Sequence, residues 1–175
     1  MLYKEKLQPI YCNLLGQTLS DILNKKQIQH NQIGYLDESD ELDMIPETTI
    51  GQVLKGKRNL TSRTSLAFQE ALELHCPKEV FFPSDVFKFE LICQIVHLIN
   101  TDESFNQTKL KKQLPNNLDN WLSQHQAELL TSLDSFISDF PDEETSYDMT
   151  QKIVDWLSEF ACLIAQKRFD NCQIF

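Results

Sequence analysis

Between positions 48 and 68 this 175-residue chain carries Lys55, Lys57, Arg58 and Arg63 and no acidic side chain, although its formal net charge is −10. Clustered cations without neighbouring carboxylates are suited to holding phosphate oxygens. Two other groupings have ligand-like spacing. Cys93 and His97 stand i and i+4, a separation two metal ligands on one helix can use, but tetrahedral zinc needs about four ligands and no second pair is evident. The acidic run at 37–43 lacks the glycine and terminal glutamate of a calcium loop and reads as solvated chain. No glycine-rich phosphate loop, nucleophile elbow or His-Glu-x-x-His is present, so the expectation is a protein that is not an enzyme and uses no metal or cofactor.

The cations must be positioned by helices. Ile50, Val53 and Leu54 recur at i, i+3 and i+4 over a predicted helix at 47–55, which turns Thr48, Thr49, Gln52 and Lys55 outward. Pro46 sits where a helix can begin, Glu47 complements the positive helix terminus, and Gly56 is the expected left-handed stop. Thr61 or Ser62 can cap a following helix at 62–74 that buries Leu66, Ala67, Ala71, Leu72 and Leu74. Upstream, Leu15, Leu19, Ile22 and Leu23 share a face of a first helix at 9–26, in which Gly16 reads as a weakness of roughly 1 kcal/mol against alanine. A short second element falls at about 31–38. No window alternates long enough to argue a strand.

Beyond a proline-bounded connector at 75–83, in which Val80, Phe81 and Phe82 tuck back under the earlier helices, Ser84 caps a central helix at 85–100 that is apolar almost all round. Lys109, Lys111 and Lys112 lie in a polar segment ahead of Pro115. Leu118, Leu122, His125, Leu129, Phe136 and Phe140 then mark a long helix, the turn at 141–144 reverses the chain, and a last helix at 148–169 carries Trp156 and Phe160. The fold class expected is therefore all-α, in two domains, 1–83 and 84–175, the second built around a long antiparallel helix hairpin.

Bulk properties agree. An apolar share of 41% supports a core, and four glycines and six prolines favour helices with short connections. The five cysteines are an odd number without close pairing, and no leader or membrane-spanning run is seen, so a cytoplasmic protein with reduced thiols and no membrane partner is expected. Nine basic and ten acidic side chains in 1–78 give net −1; seven and sixteen in 79–175 give net −9. The two halves carry different surfaces.

The segment Thr49-Ile-Gly-Gln-Val-Leu-Lys-Gly-Lys-Arg-Asn59, with Ala67, Ala71-Leu72 and Val80-Phe81-Phe82 downstream, resembles the Cro/C1-type (XRE-like) helix-turn-helix family over about residues 10–83. Where that family has a compact second helix, this chain has the longer acidic stretch between 37 and 47. The resemblance implies a four- or five-helix DNA-binding domain whose 47–55 helix enters the major groove of double-stranded DNA. Thr48, Thr49 and Gln52 would then face base edges, and Lys55, Lys57, Arg58, Asn59, Thr61 and Arg63 the phosphates. It implies a transcriptional regulator of bacterial or phage type, a repressor acting as a homodimer. The surplus apolar surface of the C-terminal half offers Trp121, Leu129, Leu133, Phe136, Trp156 and Phe160 as interface candidates. A rival reading, by architectural analogy with anti-CRISPR proteins, is a protein-binding inhibitor whose acidic 84–175 half holds a basic partner and whose N-terminal domain is scaffold or autoregulator. A third is a small-molecule sensor around Phe87, Phe89 and Phe136.

Overall fold

The computed structural model describes residues 2–36 and 42–138. These are helical apart from one short hairpin: α1 (Leu2–Lys26), β1 (Gly34–Leu36), β2 (Leu42–Met44), α2 (Glu47–Leu54), α3 (Ser62–Leu72), α4 (Pro77–Phe81), α5 (Asp85–Thr101), α6 (Lys109–Gln113), α7 (Leu118–Gln124) and α8 (Gln126–Phe136).

α1 starts well before Pro9, the expected first residue. Proline inside a helix removes one backbone hydrogen bond. Burial of Leu7 and an ion pair from Lys6 to Asp102, the C-terminal cap of α5, hold the earlier turns in place. Leu7, Tyr11, Leu15, Leu19 and Leu23 recur every four residues as a buried stripe, and α1 packs against α2 and α5.

The short second element expected at about 31–38 is a tight turn leading into the first strand of a hairpin. His30–Gln32 make a single tight turn, and Gly34, Tyr35 and Leu36 then pair antiparallel with Met44, Asp43 and Leu42. Strands of three residues are too short for alternation to register in sequence. Their position comes from packing of β1 on α3, from burial of Ile33 and Ile45 at the hairpin's base, and from the Ile45 amide donating to the Ile33 carbonyl at 3.1 Å. Most of the acidic stretch, residues 37–41, lies outside the described residues.

Thr61 is the cap of α3: its hydroxyl accepts from the Thr64 amide, while the Thr61 amide donates to the Thr64 hydroxyl at 2.8 Å. Leu66, expected in the core, is 39% exposed because the buried face runs through Thr64, Ala67, Phe68 and Leu72. The 75–83 connector contains the single helical turn α4, begun by Pro77, and its Val80, Phe81 and Phe82 are buried as expected. The Tyr11 hydroxyl donates to the Phe81 carbonyl at 3.0 Å, and the rings of Tyr11, Phe82 and Phe87 meet pairwise with centroids 6.2 to 6.4 Å apart. Burial, with the neighbouring Cys12, pushes the Tyr11 phenol well above its usual pKa and keeps it a donor. Phe87 belongs to α5, so packing is continuous across residue 83, where a domain boundary was expected. One hydrophobic core runs from Leu7 to Ile137.

Ser84 caps α5, its hydroxyl accepting from the Phe87 amide at 3.1 Å. α5 buries Phe87, Leu91, Ile92, Ile95, Val96 and Ile99, as its wide apolar surface required, although Val86 is 80% exposed. The long helix expected after Pro115 is broken at His125, where the backbone leaves helical geometry (φ −107°, ψ 15°). The His125 Nδ1 hydrogen donates to the Trp121 carbonyl at 2.8 Å, and the imidazole stacks on the Trp121 ring at 4.8 Å. Such local side-chain bonding competes with helix continuation. α8 then packs on α5. The last expected helix, at 148–169, lies outside the described residues. Among the described residues no helix is long and apolar enough to cross a membrane.

Candidate nucleic-acid interface

α2 presents two faces. Ile50, Val53 and Leu54 are buried, while Thr48, Gln52 and Lys55 form an exposed stripe at i, i+4 and i+7, with Thr49 half-buried beside it. The helix ends in a glycine-centred cap. Gly56 has φ +66°, its amide donates to the Val53 carbonyl at 2.9 Å, and the Lys57 amide donates to the Gln52 carbonyl at 2.9 Å. This satisfies the last carbonyls and fixes the direction in which the chain leaves.

Two glycines hold that end of α2 directly on α1. A Cβ added at Gly16 would lie 2.6 Å from the Leu54 carbonyl oxygen and 2.7 Å from that of Val53. A Cβ at Gly56 would meet the side chain of Asn13 and stand 2.8 Å from its Cα. The reading of Gly16 as a mere weakness is therefore corrected: its missing side chain is what lets the helix ends touch. Leu60, buried, anchors the far side of the turn.

Between these anchors Lys55, Lys57 and Arg58 are exposed. Among the described residues Lys55 and Lys57 have no ion-pair partner. Arg58 leans back over α2, with Nη1 3.5 Å from the Thr49 hydroxyl. The other expected phosphate ligands are engaged in holding the fold. Asn59 turns toward α1, its Oδ1 accepting from Gln8 Nε2 at 2.9 Å and from the Cys12 thiol at 3.6 Å. The Thr61 hydroxyl caps α3, and Arg63 is ion-paired with Asp43 of β2. The local features were readable in sequence; the Arg63–Asp43 pair, 20 residues apart, had no signal there.

The interface candidates of the C-terminal half are scattered by the fold. Leu129 and Leu133 are buried in the chain's own core and offer no surface to a second copy, which corrects their assignment. Trp121 is half-buried, packed on the core and stacked on His125. Trp156, Phe160 and the Phe136 side chain lie outside the described residues.

At the Cys93 and His97 pair, His97 Nε2 lies 3.0 Å from Asp119 Oδ1. Burial, then the charges of Glu90 and Asp119, raise the Cys93 thiol above its ordinary pKa and disfavour the thiolate a metal would need. Among the described residues no cluster of three or more His, Cys, Asp or Glu is arranged to hold a metal ion. Among the described residues no disulfide joins Cys12, Cys76 and Cys93 to one another. No family model, curated protein or solved structure matches this chain.

Proposed function

We propose that the outward face of α2 and the turn after it bind double-stranded DNA, and that the chain is a transcriptional regulator. The observation that carries this reading is the pair Lys55 and Lys57, exposed and without ion-pair partners among the described residues, in a stretch from 48 to 68 that contains no acid. Cations so arranged release counterions on meeting phosphates, which makes binding steeply salt-dependent. Thr48 and Gln52 stand on the same exposed stripe, where glutamine can bond adenine and threonine can meet the thymine methyl. The net charge of −10 repels DNA elsewhere and confines contact to this joint. A palindromic site would call for two copies, related through surface other than Leu129 and Leu133.

The test is a gel shift on the duplex upstream of the protein's own gene, across a salt series, with Gln52→Ala and Arg58→Ala beside the wild type. Gln52→Ala should relax sequence selectivity, and Arg58→Ala should weaken binding to all sequences. Absence of binding at low salt would sink the reading. The rival, a protein-binding inhibitor with a basic partner, is favoured by two observations: Asp43 neutralises Arg63, and a hairpin stands where the helix-turn-helix family has a helix.

A further inference from the structure

The four glycines of the chain differ in what the fold asks of them. A Cβ on Gly16 or Gly34 would strike neighbouring atoms, and Gly56 adopts a left-handed backbone. Gly51 has neither reason. It is the fifth residue of α2, its backbone is ordinary helix, and a Cβ built on it meets nothing within 4 Å. Glycine in a helix interior is the least favourable choice after proline, and alanine would suit this position better. Nothing within the described residues accounts for it.

Its place accounts for it. Thr48, Gly51, Gln52 and Lys55 fall at i, i+3, i+4 and i+7 and share one face of α2, so Gly51 is a notch in the exposed stripe, rimmed by a hydroxyl, an amide and an ammonium group. Bare main chain on a helix surface allows another molecule to come closer than any side chain would permit. Lys57 and Arg58 stand on the turn just beyond this stripe, so the molecule that complements the notch carries negative charge. We infer that Gly51 is the point of closest approach between α2 and duplex DNA, setting how deeply the helix enters the groove and thereby whether Thr48 and Gln52 reach base edges. This rests on the DNA-binding reading and adds a residue that sets specificity without making a hydrogen bond.

The experiment uses the full chain with Gly51→Ala, Gly51→Leu and Lys57→Ala, titrated against the upstream duplex and an unrelated duplex of equal length, with thermal melts alongside. Gly51→Ala should melt about 2–4 °C higher, as a better helix former in a chain of this size. It should nonetheless bind the upstream duplex about tenfold more weakly, from added bulk at a close contact. Gly51→Leu should lose the preference for the upstream duplex while remaining folded. Neither should change the salt slope, whereas Lys57→Ala should lower it by about one. Wild-type binding that both Gly51 variants retain would overturn the inference and leave the DNA reading standing. A lower melting temperature for Gly51→Ala would also overturn it, by showing that the fold requires the glycine. No wild-type binding at low salt would remove both.

Discussion

The turn after α2 and the junction of α5 with α8 both carry lysines, and they use them in opposite ways. At the junction Lys88, its side chain only 14% exposed, bridges Asp85 on its own helix at 2.8 Å and Asp134 on α8 at 2.7 Å. Burial alone would lower the Lys88 pKa, but the hydrogen bonds to Asp134 and Asp85 outweigh it, and the group is held charged. Lys6 does similar work between α1 and the end of α5. At the turn after α2 the fastening is done by main chain on main chain, through Gly16 and Gly56, and the lysines point outward. Where close backbone contact holds two elements together, charge is not needed for cohesion and becomes available for recognition.

The contrast breaks most severely at the glycines. Gly56→Val should destabilise the chain by more than about 3 kcal/mol, since a branched side chain combines left-handed backbone strain with overlap on Asn13. Gly16→Ala, a favourable change in an isolated helix, should instead cost about 1–3 kcal/mol because the Val53 and Leu54 carbonyls occupy the space. Chemical denaturation of the two variants checks both numbers. Gly16→Ala matching or exceeding wild-type stability would mean that α1 and α2 are not in contact there.

The lysines sharpen the contrast directly. Lys88→Met should lose about 1–2 kcal/mol, leaving Asp134 without its partner across the junction. Lys57→Met should stay within about 0.5 kcal/mol of wild type, as expected for an exposed side chain that fastens nothing. Equal losses in the two variants, read from denaturant midpoints, would erase the distinction between structural and free cations.

The smallest effect is a pH dependence. The hydrogen bond from Lys6, followed by those from the Ser104 hydroxyl and amide, lowers the Asp102 carboxyl from 3.8 to about 2. A folded-state pKa below the unfolded value stabilises above the unfolded value and ceases to do so as pH falls through the folded one. The Asp102 contribution should thus be complete above about pH 4 and gone near pH 2. Asp102→Asn should flatten that portion of the stability curve, measured by thermal melts between pH 2 and pH 5, while Lys57→Met leaves it unchanged.

Local features of this fold were legible from sequence because each depends on a few adjacent residues. The reach of α2, the left-handed Gly56, the caps at Thr61 and Ser84 and the burial of Val80–Phe82 are of this kind. What escaped depends on partners distant in the chain or on competition between nearby groups. The hairpin has three residues per strand and is placed by α3; Gly16 acquires its meaning from carbonyls at 53 and 54; His125 breaks a helix whose apolar period runs through it. At the candidate site the sequence pattern located the cations but not their commitments. Asn59 and Arg63 look like Lys57 in a list of polar residues, yet they bond Gln8 and Asp43.

The long first helix has a consequence for synthesis on the ribosome. Tyr11 of α1 finds its partners at Phe81 and Phe87, and Lys6 finds its partner at Asp102, 96 residues downstream. At about 5–20 residues per second, α1 emerges with its apolar stripe uncovered and waits roughly 5–20 s before α5 has been translated. During that interval a nascent chain exposes Leu7, Tyr11, Leu15, Leu19 and Leu23 together, an apolar stripe that a ribosome-associated holdase could cover until α5 is made.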